Sequence, residues 1–526
     1  MAQFVDVLLR GLLSVFAGIA AGGVAWAWLV LRASAHAKPD EPTRLALRAT
    51  ALAAGLAAAA QTAVGALVLG DVAGHTDSVP LASFVGTGFA RAALARVVLA
   101  SIVAVAAARL ATRPGGRMAW TGLAAAALAL VGSAASLSHA AARVADRPWL
   151  VALDAVHQLA VAAWVGGLAH FTLYAIRARR EPDPRDGVVA RRFSAVALIS
   201  VAVLVASGIA LSVKYVGELA AMVGTAYGVM ILSKVVLLLA ILGVAAVNYR
   251  IVRMGASRSG SAGRVGRLVE VELGLAVTVM FAAASLTSLP PAVDVRADRA
   301  TPAEVGARFV PAPPRLTSPP VADLLRTADP LMAATGRRLD VERAWSEYNH
   351  HWAGVFVLTM GLLASLERRG VRAARHWPLV FLGLAAFLFA RNDPRAWPLG
   401  PAGFWESMTL PDVLQHRAFV LLIVAFGIFE WAVRTGRLAP RPWSFVFPLL
   451  GAVGGGLLLT HSHAMFNLKD EFLTEVTHAP LGVLGAFMSW ARWAELRLPD
   501  AGAAAGWIWR VCLIAVGLLL LVYREG

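Results

Sequence analysis

The chain has 526 residues, of which 58% are hydrophobic and 15% charged, with a mean hydropathy of +0.67. A water-soluble domain cannot hide that much apolar surface, so composition excludes that class and defines a multi-pass protein in contact with a lipid bilayer. The net charge of +16 would suggest nucleic acid in a soluble chain, but the arginines fall in short segments between apolar runs, where they set membrane orientation, and no nucleic-acid partner is expected.

About twenty apolar residues cross a bilayer as a helix. That ruler predicts fourteen spans, near 8–32, 44–70, 89–111, 118–142, 149–176, 192–216, 223–249, 267–289, 349–366, 376–391, 414–434, 443–461, 473–495 and 504–523. The first run carries Asp6 before Arg10 and is too long for a cleaved leader, so it is expected to span. Segments 33–43, 113–117, 177–192, 250–267, 367–375 and 435–442 are rich in Arg or Lys, whereas 71–88, 217–222 and 462–472 are poor in them. The positive-inside rule places the first set in the cytoplasm and both termini outside. Arg143 and Arg147, in an outer turn, run against this pattern. Residues between Pro290 and Ala344 are rich in Pro, Ala and Arg and show no span. The expected fold is all-α: a polytopic transmembrane bundle of about fourteen spans in an 8 + 6 arrangement. Residues 1–290 form the eight-helix domain, 291–345 an extracytoplasmic linker, and 346–526 the six-helix domain.

Cys512 is the single cysteine, so there is no disulfide framework, and a metal site must use His, Met, Asp or Glu. Of the 12 histidines, His36, His170 and His376 fall toward the cytoplasm. His75, His139, His157, His350, His351, His416, His461, His463 and His478 fall in outer loops or the outer parts of spans. This asymmetry points to an outward-facing imidazole site; the competing reading is that outer loops, lacking Arg, tolerate His. Imidazole suits copper, zinc and iron, and thioether sulfur selects Cu(I).

Two clusters follow. In the first, the turn Arg143–Pro148 joins two antiparallel helices that carry His139 and His157. His139 lies roughly 6 Å from its helix end and His157 roughly 13 Å into the next helix at 1.5 Å per residue, so the two differ by about a turn in depth. Asp154 shares a face with His157, placed either to ligate or to orient the ring, and Trp164 follows at i+7. A His–Asp pair that only locks two helices is the alternative. Lys234 sits in mid-span and needs a partner, Asp154 or Glu272, or a water-filled path. The second cluster is His461-Ser462-His463-Ala464-Met465, with His478 beyond it. Its alternate residues converge only if the chain is extended. Glu347, His350 and His351 open the ninth span on the same side, and His416, with Asp412, opens the eleventh. These are either a second metal site or ordinary helix-end polar residues.

The first unit resembles the copper resistance protein D (CopD) family of bacterial inner-membrane proteins over about residues 1–295. The matching stretches are Ser138-His139-Ala140-Ala141, the run from Asp154 to Phe171, and those that begin at Arg191, Tyr227 and Val269, in order and spacing. The resemblance implies copper uptake or handling across the bacterial inner membrane, with His139, His157, Trp164 and Lys234 as candidate residues. The expectation is therefore a non-enzymatic copper transporter or delivery protein that takes copper from the outside, with a periplasmic copper chaperone as a possible partner. The alternative is a haem b electron-transfer protein, whose iron two helical histidines would hold.

Overall fold

The computed structural model describes residues 2–74, 81–253, 261–326, 340–460, 469–498 and 502–525, and among them all regular structure is helical. A lipid interior offers backbone groups no water, so a spanning segment must close its hydrogen bonds within itself. Fourteen long helices result. They are α1 (Ala2–Ala25, extended by a π-helical turn Trp26–Leu31), α2 (Glu41–Gly74), α3 (Gly88–Leu110), α4 (Gly116–Gly132), α5 (Arg147–Ala178), α6 (Asp186–Val216) and α7 (Ala226–Arg253). The others are α8 (Ser261–Ser285), α9 (Asp340–Arg368), α10 (Val380–Arg391), α11 (Pro411–Arg434), α12 (Val446–Thr460), α13 (His478–Arg497) and α14 (Gly502–Leu521).

The fourteen expected segments are helical over most of their described residues, but among the described residues 12 helices are long and apolar enough to cross a membrane by length and composition. The exceptions are α9, with Asp340, Glu342, Arg343 and Glu347 ahead of its apolar run, and α13, with Arg492, Glu495 and Arg497 at its end. Two compact units divide the chain: Ala2–Glu218 with Lys234–Asp294, and Leu219–Ser233 with Val295–Gly526. The division falls inside α7.

In the first unit, α1 packs on α2, α5 and α8. Small residues make this possible. A Cβ at Gly22 would lie 2.4 Å from the Ala162 carbonyl oxygen and 2.5 Å from Gly166 Cα, and one at Gly166 would lie 2.2 Å from the Gly18 oxygen. Residues Ala162–Gly166 form a π-helical turn within α5, so a bulge of α5 rests directly on the α1 backbone. Gly18 and Gly22 are four apart, the small-xxx-small spacing of membrane helix contacts. Buried alanines, among them Ala54, Ala57, Ala100 and Ala107, continue this close packing into α2 and α3. The turn before α5 is pinned by charge: Arg143 donates to Asp294 through two bonds of 2.9 and 2.8 Å, and Lys214 meets Asp146 at 3.0 Å. The arginine that breaks the loop-charge pattern is thus paired.

In the second unit, α9 packs on α14, α12 on α13, α13 on α14, and α10 on α11. An ionic core joins them where α9, α11 and α13 end and α14 begins. Glu430 is 1% exposed and meets Arg434 at 2.7 Å and Arg492 at 3.6 Å. Arg434 also pairs with Glu367, and Glu495 receives Arg368 at 3.0 Å and Arg510 at 3.1 Å, with Arg492 beside them. Trp509 Nε1 donates to Glu495 at 2.7 Å and Trp377 Nε1 to Glu367 at 3.1 Å, while the Arg510 guanidinium lies 4.1 Å from the Trp509 ring centroid. Four arginines, three glutamates and two indoles thus pair with one another, although Glu430 Oε2, Arg434 Nη2 and Arg492 Nε stay buried without a hydrogen bond.

From Val295 on, the described part of the Pro-rich segment is folded within this second unit. Helix Pro302–Arg308 is closed by a capping box between Thr301 and Glu304. Ala300 N donates to Gly224 O at 3.0 Å, and Ala312 N to Val522 O at 3.1 Å. Lys469 meets Glu304 at 2.6 Å, and Lys469 and the Thr301 donors pull the Glu304 carboxyl down to about 2. This pairing is complete above the ordinary glutamate range and is lost as pH falls through about 2.

Two outcomes test this packing. Gly22→Leu should lower the melting midpoint of the purified protein by the equivalent of about 3 kcal/mol or abolish its folding, because backbone lies where the side chain must go. Gly65→Leu, which faces nothing within 4 Å, should leave it unchanged. Glu495→Gln strands several guanidinium groups and should destabilise by roughly 3–5 kcal/mol, read by the same melt.

Candidate functional site

Helix α5 places Asp154, His157 and Gln158 one turn apart on one face, and Trp164 lies buried in its π turn. His157 Nδ1 lies 3.0 Å from Ser207 Oγ on α6. That hydroxyl points its own proton at the Val203 carbonyl, 2.6 Å away, so it accepts from His157. The neutral ring therefore carries its proton on Nδ1 and its lone pair on Nε2, the arrangement in which a second residue fixes a ligand tautomer. Asp154 is 9% exposed, and its Oδ2 is buried without a hydrogen-bond partner although Ser138 and Gln158 lie beside the carboxyl.

Lys234, on α7, is in electrostatic reach of Asp154 and forms no ion pair at contact distance among the described residues. The other candidate partner, Glu272, is bonded by Asn248, four turns along α7 from Lys234. His139 is in electrostatic reach of Asp154, and its Nε2 lies 2.8 Å from the Leu286 carbonyl of the segment after α8, its ring centroid 6.4 Å from that of Tyr215. His139 and His157 are thus fixed by different neighbours. Among the described residues no three His, Cys, Asp or Glu side chains gather as a metal cluster, so His139, Asp154 and His157 do not form a three-ligand site.

In the second unit, α9 and α13 bring His350 and His478 together, with ring centroids 5.6 Å apart. Tyr523 stacks on His350 at 4.0 Å. His350 Nδ1 donates to Ser346 O at 2.8 Å and His478 Nδ1 to Glu475 O at 3.3 Å. Both rings thereby carry the lone pair on Nε2. His351 differs. Its Nδ1 accepts from Arg315 N at 2.6 Å and its Nε2 donates to Tyr523 O at 2.8 Å, with the ring 0% exposed. Both nitrogens of His351, an expected ligand, are spent on backbone, and the ring is a post that ties α9 to the segments on either side. His416 Nδ1 pairs with Asp393 Oδ1 at 2.8 Å; the side chain of Asp412, its expected neighbour, lies outside the described residues. His75, His461, His463 and Met465 also lie outside them.

The partners Ser207, Asp393 and Tyr523 were missed from sequence. Ser207 alone left a local signal, a hydroxyl within an apolar run, where a polar group needs a bond.

Fold and site together define a polytopic helical membrane protein with titratable groups buried inside its first unit and paired imidazoles in its second. Residues 187–286 match the family model described as Copper resistance protein D. This segment contains Ser207, Lys234 and Glu272; Asp154 and His157, though within the wider resemblance, lie ahead of it. The chain is 30% identical over 141 residues to "Copper transport protein CutJ" of Bacillus subtilis (strain 168), which is 27% of this chain and 25% of that relative. The chain thus matches about a quarter of that relative's length. No solved structure matches it.

Replacing Ser207 with Ala should release the His157 tautomer. If His157 acts through Nε2, retention of copper by cells should fall about tenfold, the lower end for loss of a residue behind a metal ligand, while the melting midpoint moves little.

Proposed function

We propose that the protein handles copper at a bacterial inner membrane, with both termini outside, through imidazoles of the second unit and the polar face of α5 in the first. The observation that carries this reading is the family match over 187–286, since that segment brings Ser207 to His157 and Lys234 near Asp154. Copper is written here as cargo. Two imidazole nitrogens about 2 Å from one ion hold their ring centroids roughly 6 Å apart, and His350 and His478 stand at 5.6 Å. His461, His463 and Met465 follow α12 in sequence and supply further imidazole and thioether ligands in this reading. A site of few ligands suits a transported ion, which must leave as readily as it enters. Lys234 takes the part of a mobile counter-charge: a cation entering beside Asp154 displaces the attraction that holds the ammonium. A periplasmic copper chaperone is the donor we assign to the outer site.

The test is cellular copper content by mass spectrometry in a strain lacking the protein and complemented with variants. His157→Ala, and His350→Ala with His478→Ala, should each bring copper down toward the uncomplemented level, with protein abundance checked by blot. Wild-type copper in both would overturn the assignment, and a Soret band in the purified protein would replace it with the haem reading.

A further inference from the structure

We propose that a small cavity in the first unit, between α1, α3, α5 and α8, binds a monatomic anion, a halide such as chloride, on Arg96. The cavity has a volume of about 30 Å³ and is lined by Ser14 and Gly18 of α1, Arg96 of α3, Gln158 of α5 and Met280 of α8, with alanines and valines between them. Arg96 is 7% exposed, and its Nε is buried without a hydrogen-bond partner. No carboxylate stands at ion-pair distance from its guanidinium among the described residues. The charged neighbour that acts on it is Arg10, of like sign, and Arg10 is itself taken by Asp6 at 2.6 Å. Arg96 is thus left with a cationic neighbour whose own carboxylate is already taken.

An arginine withdrawn from water without a counter-charge costs several kcal/mol. Beside a cavity that opens onto the guanidinium, that cost marks a ligand. Water can accept a hydrogen bond but cannot neutralise the charge; an anion does both. Size selects among anions. The space is that of one or two water molecules, which excludes carboxylate, phosphate and sulfate and admits a halide. The donors are the Arg96 guanidinium, the Ser14 hydroxyl and the Gln158 amide, while Met280 and Gly18 close the apolar side. A cation is refused by Arg96, so the cavity is separate in kind from the proposed copper path, and the inference does not rest on that reading. Gln158 also lies beside Asp154, so the cavity adjoins the acidic face of α5.

The experiment measures the melting midpoint of the full chain in lipid nanodiscs while chloride replaces gluconate at constant ionic strength. The wild type should gain several degrees with a saturable dependence, bromide should substitute for chloride, and sulfate should not. Arg96→Gln should remove the dependence. Should that variant fail to fold, Ser14→Ala and Gln158→Leu keep the cation and should raise the half-saturating chloride concentration about tenfold. A wild type indifferent to chloride means a water-filled cavity and overturns the proposal. An unaltered dependence in Arg96→Gln, or in both lining variants where that one does not fold, overturns it too, because the halide then acts elsewhere.

Discussion

The backbones of α1 and α5 meet glycine on glycine, and the first unit is arranged around that approach. A bilayer gives helices no hydrophobic reward for leaving lipid, so association depends on how closely surfaces fit. Gly18, Gly22 and Gly166 remove the side chains that would hold the axes apart. The π turn at Ala162–Gly166 occupies that contact, and such turns change which side chains face which neighbour. Ahead of it, Asp154 and His157 are offered toward Ser207 and Lys234; at it, Trp164 is turned into the core. The polar face of α5 is therefore presented by a packing requirement on its opposite side.

The second unit separates two kinds of polar chemistry along the same helices. On α9, His350 and Arg368 are eighteen residues apart, and on α13, His478 and Glu495 are seventeen, so each pair spans roughly 26 Å at 1.5 Å per residue. At one end guanidinium, carboxylate and indole groups pair with one another. At the other, two imidazoles lie against each other and against the Tyr523 ring.

Helix placement was legible because it needs only local apolarity, and each expected span is helical. The count of crossings was less so: α9 and α13 trade apolar residues for charges that the fold then pairs internally, which a hydropathy window cannot see. Some of the internal chemistry had left local traces, in Gly18 and Gly22 four apart, in Glu430 before Arg434, in Arg492 before Glu495, and in Thr301-Pro302-Ala303-Glu304 as a capping signature. What sequence could not give was any partner brought from far along the chain, such as Ser207 for His157, Asp393 for His416, or Tyr523 for His350 and His351. Adjacent histidines made the point sharply: His350 and His351 look interchangeable in sequence, yet a helix turns them about 100° apart, one toward another imidazole and one into backbone.

The residues that follow α14 fold back as a wall of the imidazole pair. Val522 O takes the Ala312 amide, the Tyr523 carbonyl takes His351, its ring covers His350, and its hydroxyl donates to Thr474 O at 3.2 Å. An affinity handle or fluorescent fusion attached just beyond Glu525 would tug on this wall directly, and a defect seen in such a fusion would belong to the handle.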